Sequence, residues 1–262
     1  MIRKYGNEPV EIAVIHGGPG ACGSVARIGK ELSKSFGVIE PIQTKHSIPE
    51  LIEELYEQVC SITKNPITML GHSWGAWLVV LFAAKYPKLV KQIILVGSGP
   101  FKKEYVELIM QRRLNNLTES ESELFRYLVS QLKNNSTTNK DEILGRLGAL
   151  AEKSDSYELL EKQDNEISNL PTDGEAYSSV WPQADEMRSN GMLVRELNKL
   201  KCSVVVIHGE HDSHPVEGVV EPLEDSGIIF ETYILPKCGH SPFNEKYAYE
   251  RFYQILVDIT RR

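Results

Sequence analysis

This chain of 262 residues predicts an α/β architecture, a doubly wound and mostly parallel sheet with a helical insertion. Three observations carry that expectation. Runs rich in Val, Ile and Leu alternate with helical patterns before Phe101 and again after Leu200, the order that builds βαβ units. Between those stretches no run reads as a strand, and charged residues are dense. Finally, Gly71-His72-Ser73-Trp74-Gly75 stands between a strand-like and a helix-like segment, and that context gives the pentapeptide its meaning.

The expected strands are Glu11–Ile15, Gly37–Ile42, Ile67–Leu70, Gln92–Val96, Ser203–Ile207 and Ile228–Leu235. Several are almost wholly apolar, as parallel strands covered on both faces must be. Pro49–Ile62 predicts a helix, with Leu51, Ile52, Leu55, Tyr56 and Val59 at helical spacing. Trp74–Tyr86 follows the serine turn and is stopped by Pro87, and Lys246–Ile259 supplies a last amphipathic helix. Within the insertion, Glu119–Lys133, Lys140–Lys153, Tyr157–Glu166 and Met187–Leu200 predict helices, and Asn134–Asn139 a polar loop. The expected organisation is therefore 1–100 and 201–262 as two parts of one core, with 101–200 as a helical cap between them. Only about ten residues precede the first core strand, too few for a full antiparallel hairpin at the sheet edge. No repeat of fixed period is present.

A composition of 41% hydrophobic and 25% charged residues suits one globular domain whose core needs no disulfide or metal staple. A net charge of −7 argues against nucleic acid or an anionic membrane as partner. The N-terminal residues lack a signal-peptide pattern and the longest apolar run, Trp77–Ala84, is too short to span a bilayer, so the expected address is the cytoplasm. Oligomeric state stays open, because an exposed apolar cap face closes a dimer as readily as a pocket.

The chemistry follows from what must accompany a serine on a strand-to-helix turn. Gly71 and Gly75 let the backbone take the strained turn that lifts the Ser73 hydroxyl above the sheet edge. A hydroxyl is a weak nucleophile until a base removes its proton. His240, after the last strand, is the candidate base, and Asp212, after the strand before it, is the candidate acid that orients the imidazole. The loop His16-Gly17-Gly18-Pro19-Gly20 follows the first strand, and the amides of Gly18 and Trp74 are the expected oxyanion hole. A phosphate-binding reading of that loop fails for want of a Walker lysine or Gly-x-Gly-x-x-Gly spacing. His16, Gly17 and Trp181 are the substrate-binding candidates, although His16 and His72 also read as buried residues that shape their loops. Trp77 reads as core. His208, His211, Asp212 and His214 crowd together, but without a helical His-x-x-x-His spacing, and no metal site is assigned. Cys22 and Cys238 read as packing residues, with a reactive or bonded pair as the alternative.

The His16–Gly20 loop together with Ser73-Trp74-Gly75 resembles the α/β-hydrolases, and within them the prolyl iminopeptidase branch, over essentially the whole chain. The resemblance implies an α/β-hydrolase fold, a cap after the strand ending near Val96, and neither metal nor organic cofactor. It also implies cap carboxylates that hold a free α-amino group, for which Glu161, Asp164, Glu166, Asp173 and Glu175 are available. Two departures matter. Glu40–His46 stands where that branch carries an Asp-Gln-Arg-Gly-like segment, and Gly71-His72-Ser73 where it often carries Gly-Gly-Ser. The expectation is a serine hydrolase acting on a small-molecule carboxylic ester or lactone. The alternatives are an aminopeptidase and a non-catalytic ligand-binding protein on the same fold. A dehalogenase or epoxide hydrolase would need an aspartate at position 73.

Overall fold

The computed structural model describes residues 1–161 and 170–262. Its strands are β1 (Ile2–Tyr5), β2 (Val10–Ile15), β3 (Gly37–Pro41), β4 (Ile67–His72), β5 (Val90–Val96), β6 (Ser203–Gly209) and β7 (Phe230–Leu235). They form a sheet in the order β1-β3-β2-β4-β5-β6-β7, parallel except for β1. The helices of the core are α1 (Ala26–Leu32), α2 (Ile48–Ile62) and α3 (Trp74–Lys85). Between β5 and β6 come α4 (Val106–Asn115), α5 (Glu119–Lys133), α6 (Lys140–Asp155), α7 (Gly174–Ser189) and α8 (Met192–Leu197). The core closes with α9 (Glu217–Asp225) and α10 (Tyr249–Thr260).

Successive strand residues point to opposite faces, which explains why the strands are apolar throughout. Ala13, Met69, Ile93 and Val206 pack with α2, α3, α8 and α9, whereas Ile12, Leu70, Ile94 and Val205 pack with α1 and α10. The cap has a smaller core of its own, made where Phe125, Leu128 and Leu132 of α5 meet Ile143, Leu144 and Leu147 of α6. Each of these buried side chains contributes about 1.5–3 kcal/mol by its transfer from water. No helix among the described residues is long and apolar enough to cross a membrane.

The structure departs from the expected elements in several places. The N-terminal residues do contribute a strand. β1 pairs antiparallel with β3, from Ile2 opposite Pro41 to Tyr5 opposite Val38, so no hairpin with β2 is required. Its sequence, Ile-Arg-Lys-Tyr, hides it because an edge strand carries charge. Here Arg3 and Tyr5 meet the buried Glu40, the tyrosine hydroxyl donating at 2.6 Å. In the cap, Tyr157–Glu161 is not helical: Leu159 forms an antiparallel bridge with Glu245. The remainder of the helix expected at Tyr157–Glu166 lies outside the described residues. The helix expected over Met187–Leu200 is broken at Gly191, whose φ of 75° is left-handed and starts α8 afresh.

Candidate active site

The site is built at the carboxyl edge of the parallel strands, where open α/β sheets gather their loops. β4 ends at His72, α3 begins at Trp74, and Ser73 between them has φ 55° and ψ −118°. A non-glycine residue held there stores about 1–3 kcal/mol of strain. What holds it is tight packing of backbone. A Cβ on Gly71 would lie 2.2 Å from the Gly75 carbonyl oxygen, and one on Gly75 would lie 2.4 Å from that of Ile15. The Ser73 amide donates to Val96 O at 2.9 Å, tying the turn to the end of β5.

Asp212 follows β6 and His240 follows β7, and the fold brings them together: His240 Nδ1 lies 2.9 Å from Asp212 Oδ2. His240 and Ser73 line the same cavity. Asp212 is 3% exposed and is surrounded by imidazoles. Its Oδ1 accepts from the His214 amide at 2.8 Å and faces His214 Nδ1 at 2.9 Å, while His208 Nε2 stands 3.3 Å from Oδ2. Burial would raise the Asp212 pKa, but His240, His208 and His214 together hold it well below the usual carboxylate range. Burial would likewise lower His240. The Asp212 carboxylate beside it outweighs that, and the imidazole is raised above its ordinary value.

Several residues beyond the sequence-derived set complete this centre. The ring of His214 stacks on that of His240 with centroids 4.3 Å apart. Arg113 of α4 stands with Nη2 3.4 Å from His214 Nε2, and since a guanidinium only donates, that nitrogen accepts and Nδ1–H is directed at Asp212. His214 is neutral, pushed down to about 4 mainly by burial and by His240. Arg113 makes a forked pair with the buried Asp155, its Nε at 2.9 and 3.0 Å and Nη2 at 2.6 Å from the carboxylate. The carbonyl of Asp155 accepts from the His240 amide at 2.8 Å, so the last residue of α6 also supports the His240 loop. Glu245, fully buried, accepts from the amides of Tyr157, Glu158 and Gly239 at 2.9 Å each and staples the cap to the His240 loop. None of these carries a local signature; only His214 had been noted, as part of a histidine cluster.

On the other side of Ser73, Gly17 and Gly18 line the cavity together with Trp74. A Cβ on Gly17 would stand 3.3 Å from Ser73 Cβ. His16 does not reach the cavity. It is fully buried behind the loop, with Nδ1 2.9 Å from Gly17 O and Nε2 accepting from the Gln43 amide at 3.3 Å. The expectation that it contacts substrate is thereby corrected, since burial also lowers it to about 4 and leaves it a neutral brace. Gln43 belongs to the segment that departs from the iminopeptidase pattern. It donates to His16 O at 3.3 Å and accepts from Trp74 Nε1 at 2.9 Å, bracing both loops beside Ser73. His72 is likewise buried and lowered to about 3, chiefly by burial.

The cavity above Ser73 has a volume of about 760 Å³, and Trp181 lines it, stacked between Trp77 and Tyr177. Of the carboxylates expected to anchor an amine, the three among the described residues do not line the cavity. Asp173 caps α7 by accepting from the Ala176 amide, Glu175 pairs with Lys140 at 3.0 Å, and Glu161 is exposed. Asp164 and Glu166 lie outside the described residues. Asp212, His214 and His240 gather potential metal-ligating atoms within 4.8 Å of one another. The two 2.9 Å Nδ1–Oδ separations are those of hydrogen bonds, which a proton fills. His211 points away, toward Glu210 and the ring of Tyr157. Cys22 and Cys238 are free thiols. Burial pushes Cys22 up to about 11 and raises Cys238 further, so neither has thiolate character at neutral pH.

This arrangement defines the class. The family model of the alpha/beta hydrolase fold matches residues 12–247, and the chain belongs to that family. Over 255 residues it is 23% identical to a proline iminopeptidase of Heyndrickxia coagulans, covering 90% of this chain and 85% of the relative. It is also 32% identical over 79 residues to ethanol acetyltransferase 1 of Cyberlindnera jadinii, a match that spans 29% of this chain and 24% of that protein. The enol-lactonase structure from Burkholderia xenovorans superposes with a TM-score of 0.62 at 19% identity, covering all of this chain and 96% of the other, a likeness of fold.

Proposed function

We propose that this chain is a serine hydrolase that cleaves a small-molecule carboxylic ester or lactone without a cofactor. The observation that carries the proposal is the 2.9 Å contact between His240 and the buried Asp212, with the imidazole on the same cavity as Ser73. In this reading Ser73 Oγ attacks the carbonyl carbon and His240 Nε2 takes the hydroxyl proton. Asp212 holds the Nδ1–H tautomer and stabilises the imidazolium as it forms. The amides of Gly18 and Trp74 bind the tetrahedral oxyanion. Collapse breaks the bond to the leaving oxygen, which receives the proton from His240. Water, deprotonated by the same imidazole, then releases the acyl group and restores Ser73.

The placement of the cap acids favours an ester over an N-terminal peptide. Asp173, Glu175 and Glu161 are absent from the cavity lining, and of the acids that do line it Asp155 and Asp185 are taken by Arg113 and Arg188 and Glu152 is exposed to water, whereas an α-ammonium group would need a desolvated, unpaired carboxylate there. Purified protein and Ser73→Ala, assayed on p-nitrophenyl acetate and on proline p-nitroanilide, test the proposal. Ser73-dependent release from the ester and none from the anilide is expected. Anilide cleavage would move the assignment to an aminopeptidase. Ester cleavage that survives Ser73→Ala would overturn the mechanism.

A further inference from the structure

We infer that the cavity above Ser73 takes a neutral ester whose acyl chain is apolar and lies along α6. This rests on the hydrolase reading and adds the substrate class to it. The cavity does not end at the nucleophile. It continues into the cap, where Ile109, Phe125, Leu132, Leu144 and Leu147 wall it from three helices. Its volume of about 760 Å³ is that of a site for a small ligand. Its charges cancel. Arg113 is paired with Asp155 and Arg188 with Asp185, and the remaining two, Lys133 and Glu152, are exposed to water. A substrate bearing its own charge would leave water without an unmatched buried partner to meet, a cost that an apolar chain avoids.

The wall contributed by α6 shows where the chain lies. Asp155, at one end of the helix, holds the His240 amide, and Ala151, Gly148, Gly145 and Leu144 continue along the cavity from there. At 1.5 Å per residue, this wall is about 15 Å long from Asp155 to Gly145. Glycine is the least favoured residue in a helix interior after proline. Yet the packing of the protein demands neither glycine. A Cβ on Gly148 would meet no atom within 4 Å, and one on Gly145 would meet only Thr172 Oγ1, at 3.9 Å. Both glycines line the cavity and are solvent-accessible, so the missing side chains leave its wall open where a chain can lie.

The test compares kcat/KM for p-nitrophenyl octanoate and acetate in the native protein, Gly148→Leu and Arg146→Leu, the last being exposed and away from the cavity. A fully buried methylene is worth about fourfold, so octanoate should exceed acetate by at least about tenfold. Gly148→Leu should lower that ratio at least about tenfold without lowering the thermal midpoint, and Arg146→Leu should leave the ratio at its native value. Ser73-dependent hydrolysis that favours acetate, or a ratio indifferent to Gly148→Leu, would overturn the chain site and leave the hydrolase standing. Binding supplies a separate readout, because all three tryptophans of the chain, Trp74, Trp77 and Trp181, line the cavity. Quenching of their fluorescence by methyl octanoate in Ser73→Ala, without turnover of any ester by the native protein, would uphold the chain site and overturn the hydrolase. Absence of both quenching and long-chain turnover would overturn the inference.

Discussion

Replacing Arg113 by Met would leave Asp155 as an unpaired carboxylate beneath the His240 loop. Asp155 is 2% exposed, and all three nitrogen–oxygen contacts to Arg113 are 3.0 Å or shorter. Breaking such a pair from one side costs about 3–5 kcal/mol, because the surviving charge keeps its desolvation penalty. The Arg113 side chain is 20% exposed, so water softens the loss and about 3 kcal/mol is the appropriate figure. At about 2–4 °C per kcal/mol for a chain of this size, the thermal midpoint should fall by about 6–12 °C. The pH dependence has a definite sign. Burial would raise Asp155, but Arg113 overcomes it and holds the carboxyl below its ordinary value, so in the native protein the pair stabilises above that value and is lost in acid. In Arg113→Met the folded-state pKa rises above the unfolded one. The variant therefore binds the proton more tightly when folded, and its penalty grows as pH rises from about 4 to 7. Urea denaturation of native protein, Arg113→Met and Arg113→Met/Asp155→Leu across that range measures the effect, and the double variant should recover most of the loss. A single-variant cost under about 1 kcal/mol at neutral pH, or one that does not vary with pH, would refute the buried-pair account.

Three further outcomes follow from the geometry of the site. His240 must be neutral to accept a proton, and Asp212 raises it, so kcat/KM should fall as pH drops through a value above the ordinary histidine figure of about 6.5. Asp212→Asn should reduce the plateau by a factor on the order of 10⁴ and move that acid limb to lower pH, both read from the kcat/KM–pH profile. Ser73→Gly should abolish esterase activity while raising stability by about 1–2 kcal/mol, since glycine tolerates the φ of 55° that serine resists. An unchanged denaturation midpoint would show that the turn is unstrained.

The core was readable because its signals are local. Ile67–Leu70 and Ser203–Ile207 announce buried parallel strands, and the small residues either side of Ser73 announce the turn between β4 and α3. Glu119–Lys133 matches the observed α5, whose start is fixed by a capping box between Thr118 and Glu121. The illegible parts depend on distant partners. Ile2–Tyr5 is a strand only because β3 offers it an edge, and Tyr157–Glu161 leaves the helix to meet Glu245, which receives the amides of Tyr157 and Glu158. Arg113 and Asp155 are two ordinary charged residues on helices until the cap folds them onto the His240 loop. Gln43 is similar: its segment departs from the iminopeptidase pattern, yet in the structure it braces His16 and Trp74.

The insertion between β5 and β6 has an evolutionary consequence. Those two strands pair in continuous register, from Gln92 opposite Ser203 to Val96 opposite Ile207, although the whole cap separates them in the chain. Closing such an excursion costs only about 0.6 kcal/mol more for each doubling of its length. Lineages are therefore free to lengthen, shorten or exchange this segment without rebuilding the strands around it. Arg113, Asp155 and Glu245 mark the joints that an exchanged segment would have to reproduce.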